Sequence, residues 1–116
     1  MISVDSISIN GQFIRINEKI NIDLKCKIHA SLIWNNLIFV ILDAREYKIA
    51  NENVQCFSFD GKLNWTIEAG NWPENKSCPV TGIWTIEGKL MVYRSCGFEQ
   101  EIDPLTGKEL SMEFTK

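Results

Sequence analysis

The sequence is poor in the residues that usually carry chemistry. Its 116 residues include one histidine, His29, so a Ser or Cys nucleophile would have a single candidate base. Cys26 and Cys56 are the conceivable partners, but no nucleophile signature surrounds either, and His29 reads as a strand residue without a role. The four cysteines, Cys26, Cys56, Cys78 and Cys96, are separated by 30, 22 and 18 residues and form no C-x-x-C pair, which leaves a zinc site without support. No Walker or dinucleotide-binding loop is present. No catalytic residue, cofactor site or metal site is expected, and the chain does not read as an enzyme.

Other absences concern location and partners. The longest apolar run, Leu37 to Leu42, is six residues, far short of the roughly 20 a membrane span needs. The start, Met1-Ile2-Ser3-Val4-Asp5, lacks a basic region followed by an apolar run, so no secretory leader is expected. A cytoplasmic chain with four reduced thiols follows as the expectation; secretion would instead allow three disulfide connectivities. There is no basic excess: 12 Lys and Arg stand against 15 Asp and Glu, a net charge of −3. That disfavours direct binding to nucleic acid. Residues 1–58 balance six acids with six bases, whereas residues 59–116 hold nine acids and six bases. Within 98–113 the acids Glu99, Glu101, Asp103, Glu109 and Glu113 face one base in sequence, Lys108. Such a run reads either as a solvated face or as an acidic surface for a basic partner.

What the chain has in quantity is turns. Asn10-Gly11, Asn35-Asn36, Asp60-Gly61, Glu87-Gly88, Cys96-Gly97 and Thr106-Gly107 all suit tight turns that need positive φ. The first four recur every 25 to 27 residues, a repeated hairpin unit. Nothing reads as a long amphipathic helix; at most a short turn forms at 44–48. Around Asn10-Gly11, Ile7, Ile9, Ile14 and Ile16 share one face. Around Asp60-Gly61, pairing Ser58–Leu63, Cys56–Trp65 and Val54–Ile67 gives a dry face of Val54, Cys56, Leu63, Trp65 and Ile67, with Phe57 on the other side. The run 37–42 does not alternate and is expected to be covered on both faces. Around Glu87-Gly88, Trp84 faces Met91; around Cys96-Gly97, Arg94 faces Glu99 and Met91 faces Ile102. These pairs predict a core row of Trp84, Met91 and Ile102, and an acidic face of Glu99, Glu101 and Asp103 neutralised only by Arg94.

Strand, Asp, turn, Gly-Lys, strand is the pattern of β-propeller blades of the quinoprotein type. Ile102-Asp103-Pro104-Leu105-Thr106-Gly107-Lys108-Glu109-Leu110 resembles the D-P-x-T-G-K-x-L stretch of those repeats, and Phe57 to Trp65 resembles a shorter version with the closing Trp. In the second copy Ser111 stands where that Trp would be. A closed propeller needs at least four blades of about 40–45 residues. The expectation is therefore a single all-β domain over 1–116, an antiparallel hairpin meander of two to three blades, open rather than closed.

Across most of its length the chain is also similar to immunity proteins of contact-dependent growth-inhibition loci. The matching stretches are I-x-I-N-G from Ile7 to Gly11, the apolar strand ending in Asp43, N-V-x-C-F-x-x-D-G-K-L-x-W-x-I-E from Asn53 to Glu68, and T-G-I-W through I-D-P-x-T-G-K to Lys116. The resemblance implies a bacterial protein that binds and neutralises a cognate protein toxin, a basic nuclease domain, by covering its active site with an acidic surface. The alternative is a non-catalytic blade-like scaffold that self-associates as a homo-oligomer. Candidate partner-binding residues are Asp43, Glu46 and Tyr47 in one loop, Trp72 and Glu74 in the irregular segment 68–79, and Glu99, Glu101 and Asp103 on the acidic strand. Trp72 reads either as tucked against a sheet edge or as an exposed aromatic anchor.

Overall fold

The computed structural model describes residues 6–115. The stretch read for a leader, Met1 to Asp5, and the final Lys116 lie outside the described residues. Among the described residues, eleven strands form three antiparallel sheets, each a simple up-and-down meander. The first sheet contains β1 (Ile7–Asn10), β2 (Phe13–Ile16) and β3 (Ile20–Asp23). The second contains β4 (Ile28–Trp34), β5 (Leu37–Leu42), β6 (Val54–Ser58) and β7 (Leu63–Thr66). The third contains β8 (Val80–Ile86), β9 (Lys89–Arg94), β10 (Phe98–Ile102) and β11 (Glu109–Phe114). Two short 3-10 turns, Ala50–Glu52 and Pro73–Asn75, interrupt the loops. The fold is thus an open stack of two four-stranded blades and a three-stranded one, with no closure into a ring.

The middle sheet is covered on both sides, which explains why β5 is wholly buried. Ile38, Val40 and Leu42 face the first sheet and meet Ile14 and Ile16. Leu37, Phe39 and Ile41 face the third sheet and meet Val80, Leu90, Val92 and Ile102. Phe57 also lies in the first seam, 4% exposed, so it is core rather than wet surface. A hairpin has a wet side only at the end of a stack; the Asp60-Gly61 hairpin sits in the middle of this one.

Turn chemistry accounts for the β-hairpins. Asn35 and Asn36 adopt φ of 57° and 59°, and Glu87 and Gly88 adopt 51° and 77°, the left-handed pairs that match strand twist. A further turn at Asn17 and Glu18, φ 52° and 60°, completes the first sheet; it carries no glycine and has no counterpart among the sequence signals.

Two predicted registers are corrected. A bulge between Cys56 and Phe57 keeps Cys56 opposite Trp65 but sets Phe57, not Ser58, opposite Leu63, and Leu63 is left exposed. The β9–β10 connection spans Ser95 to Gly97, with Gly97 N–H donating to the Arg94 carbonyl, so Arg94 pairs with Phe98 and Met91 with Glu101. One residue of slip reverses every inward and outward assignment between two strands. The row is therefore Trp84, Met91, Glu101, while Ile102 joins Leu90 in the core.

The repeat has a packing meaning. The last strand of one sheet leans on the final turn of the next. Trp65 of β7 donates from Nε1 to the Pro104 carbonyl at 2.8 Å, and a Cβ on Gly107 would come within 2.5 Å of its ring. Likewise a Cβ on Gly61 would come within 2.7 Å of Ile20 on β3. Glycine is thus required at both turns by positive φ and by close approach. Ser111, at the corresponding place in the third sheet, has no further turn to pack on among the described residues.

Candidate functional site

The seam between the second and third sheets is built around a buried cation. Arg94 on β9 is 0% exposed. Its Nη1 donates to the carbonyls of Asn51 (2.6 Å) and Cys78 (3.0 Å), its Nη2 to the Glu68 carbonyl (2.9 Å), and its Nε to Gln100 Oε1 (2.7 Å). Gln100 Nε2 in turn donates to Glu109 Oε1 at 2.6 Å, so the amide links the guanidinium to a carboxylate. Burial lowers the Arg94 pKa to about 10, with Glu109 opposing that shift. Trp72 stacks on this group, its ring centroid 5.0 Å from Arg94 Cζ and 5.3 Å from Phe98. Arg94 therefore does not neutralise the outer acids Glu99 and Glu101; it lies on the opposite face, with Gln100.

Two further devices fix the same region. Cys78 and Cys96 form a disulfide with Cα atoms 5.4 Å apart, which ties the segment before β8 to the β9–β10 turn and corrects the expectation of four free thiols. Sequence spacing carried no sign of this pairing, because it depends on the two loops meeting at Arg94. Asn53, 1% exposed, donates to the Leu42 and Val80 carbonyls and accepts from Val80 N–H, stitching the sheets together. Cys26 and Cys56 are free and buried; burial alone pushes the Cys56 thiol up to about 12.

The candidate residues separate into two classes. Trp72 is 7% exposed and donates from Nε1 to the Ala69 carbonyl, so it is a seam residue and not an exposed anchor. Asp43 is also largely buried, and its carboxylate accepts from Arg45 at Nε, Nη2 and the backbone N–H; these bonds hold it well below the usual carboxylate range. Glu46 takes a long contact from Lys27 N–H, and Tyr47, half-buried, accepts at its hydroxyl from Gln55. Asp103 caps its turn by accepting from Leu105 N–H at 2.9 Å. Glu74 is exposed beside Lys76. Of the eight, Glu99 and Glu101 remain together on one open sheet face.

That face is the outer side of the third sheet. Register places Trp84 beside Met91 and Met91 beside Glu101 in one row, and Tyr93, Glu99 and Glu113 in another. Glu99 and Glu113 stand directly opposite each other across β10 and β11. Neither they nor Glu101 form an ion pair among the described residues. The outer side of the first sheet is different: Ser8, Asn10, Phe13, Arg15 and Asn21 line it, polar apart from Phe13.

Residues 4–114 match the family described as Domain of unknown function (DUF7957). The chain belongs to that family. No curated protein matches it. Among solved structures it is similar to the computationally designed Ika8 protein, with a TM-score of 0.56 and 10% identity over 98% of this chain. The match spans 37% of the designed chain's length, and at this identity it is a likeness of fold. No helix among the described residues is long and apolar enough to cross a membrane.

Proposed function

We propose that this protein is a non-catalytic binding module, an immunity factor that docks a basic protein toxin, a nuclease domain, on the outer face of its third sheet and covers the toxin's substrate groove. The observation that supports the reading is the Glu99–Glu113 pair. Like charges directly opposite on a sheet are destabilising. Here a third carboxylate, Glu101, joins them on the same face, and none of the three forms an ion pair among the described residues. Beside them the half-buried Trp84, Met91 and Tyr93 supply apolar and aromatic contact area. A basic surface would remove the repulsion and cover the aromatic rows at once.

The scaffold alternative fits this face less well. Two copies meeting through it about a two-fold axis would set the three carboxylates of each against those of the other. The polar outer face of the first sheet has the character of a terminal cap, which limits stacking of one copy on the next. Within a toxin–immunity locus, the partner would be encoded beside this chain and would act in the cytoplasm.

The test is binding kinetics against the neighbouring gene product, with a cell-protection assay, at two salt concentrations. Glu99→Lys with Glu101→Lys is expected to slow association and weaken protection while leaving the fold intact, because neither carboxylate forms an ion pair among the described residues and Lys opposite Glu113 removes a like-charge contact. Wild-type binding and protection by that variant would remove this face from the interface. Absence of any toxin partner, together with oligomers in solution, would favour the self-associating scaffold.

A further inference from the structure

We infer that a second docking site, a groove on the rim of the stack, receives an extended lysine- or arginine-bearing segment of the same basic partner. The inference rests on the reading above for its partner, and on separate residues for its site. A groove of about 690 Å³ opens between the segment after β7 and strands β10 and β11. Its apolar lining includes Ile67, Ile102 and Met112. Its charged lining is Glu52, Glu68 and Glu109, and no lysine or arginine contributes to it.

Charge complementarity selects the occupant. Glu52 and Glu68 make no ion pair or side-chain hydrogen bond among the described residues. Glu109 accepts one bond from Gln100 and keeps acceptor capacity on its carboxylate. A lysine or arginine side chain has the matching construction, an aliphatic stem to lie along exposed Met112 above the buried Ile67 and Ile102, and a cationic head for the carboxylates. The opening is also held in shape. Arg94 fixes the Glu68 backbone from behind and Gln100 fixes Glu109, so the acceptors are positioned before any partner arrives. A neutral or acidic segment would leave Glu52 and Glu68 desolvated without a counter-charge, whereas Glu109 already feels Arg94 through Gln100.

The test uses the full chain, labelled with nitrogen-15 and titrated with a hexalysine peptide, with hexaserine as the neutral control. Expected are saturable amide shifts at Ile67 to Asn71, Gln100 and Met112 for hexalysine alone. Met112→Lys places the protein's own cation in the groove from an exposed edge position, 46% exposed. It is expected to weaken the peptide about tenfold, a loss of about 1.4 kcal/mol. Glu68→Gln should weaken it in the same direction, whereas Glu99→Lys with Glu101→Lys should leave the groove shifts in place. Shifts confined to Glu99, Glu101 and Glu113, or unchanged binding by both groove variants, would overturn the proposal. The two readings fail separately. A neighbouring toxin that does not bind, with hexalysine still seated in the groove, removes the immunity function and leaves the groove; a toxin that binds and is neutralised while hexalysine misses the groove does the reverse.

Discussion

The two seams of this stack are held by different physics. Between the first and second sheets the contact is apolar and mainly aliphatic, with Ile14, Ile16, Ile38, Val40 and Leu42 buried beside Phe57. Between the second and third sheets an aliphatic core is extended by a buried arginine, an amide relay, a bridging asparagine, two tryptophans and a disulfide. The first seam depends on area and volume, which many sequences can supply. The second depends on directional bonds, each of which needs one particular partner. Of the two proposed binding surfaces, one is the outer face of the third sheet and the other lies at its seam with the second, the part of the stack that directional bonds hold in place. A docking surface needs fixed acceptors, and hydrogen bonds fix a side chain more narrowly than dispersion does.

The contrast is sharpest at Arg94. Arg94→Ala should destabilise the protein by about 3–5 kcal/mol, because it leaves Gln100 and three backbone carbonyls without their donor. Arg94→Met, which restores most of the volume, should recover little of that in urea denaturation. If Met equals wild type, packing alone holds the seam and the contrast collapses. Trp65→Ala should cost about 3–5 kcal/mol through lost core volume, and it also removes the bond to Pro104. An unchanged denaturation midpoint would show that one sheet does not depend on leaning against the next sheet's turn.

The disulfide comes next. Replacing Cys78 and Cys96 by serine opens a loop of 18 residues, with an expected loss of about 3 kcal/mol on the chain-entropy account. Alkylation of the unfolded, unreduced protein should label two thiols, Cys26 and Cys56, and four after reduction. Four labelled without reductant would place the bridge outside the working molecule. In the aliphatic seam, Ile16→Val should cost only about 0.5–1.5 kcal/mol. A larger loss would mean that this seam too has little freedom to repack.

The smallest effect is one of pH. Asp43 is depressed by the Arg45 side chain and backbone bonds, so its contribution is complete above its unfolded value and fades as pH falls below about 3.8. Asp43→Asn should therefore lower stability at neutral pH and flatten part of the acid limb of a stability-against-pH curve, the variant and wild type converging as the pH falls below about 3.8. An unchanged acid limb would show that the Arg45 pairing does not contribute to folding.

Where sequence reading worked, it rested on local rules. The faces of Ile7, Ile9, Ile14 and Ile16, the two-sided burial of β5 and the pairing of Cys56 with Trp65 all follow from period-two alternation and turn residues, which act within a few positions. It fails first at Cys96-Gly97, where a three-residue connection reads as a two-residue one, and the slip puts Trp84 and Met91 in the core row with Ile102 and Arg94 beside the outer acids. Trp72 was placed as a choice between edge and anchor, since nothing within its loop reveals that Arg94, 22 positions later, arrives beneath its ring.

The amino-acid sequence by itself determined most of the strands and hairpins and an open meander of two to three blades, because alternation, turn chemistry and length are local or additive properties. Only the tertiary structure decided which acids stay free, which cysteines meet and why the glycine of each blade turn cannot carry a side chain. Those outcomes depend on groups distant in sequence reaching the same few ångströms: Cys78 to Cys96, Trp65 to Gly107, Arg94 to the carbonyls of Asn51 and Glu68. Glu109 shows the limit most plainly. In the sequence it is one acid in an acidic run. In the fold a bulge between Glu101 and Ile102 sets it opposite Ile102, facing the groove, while Glu99, Glu101 and Glu113 face outward.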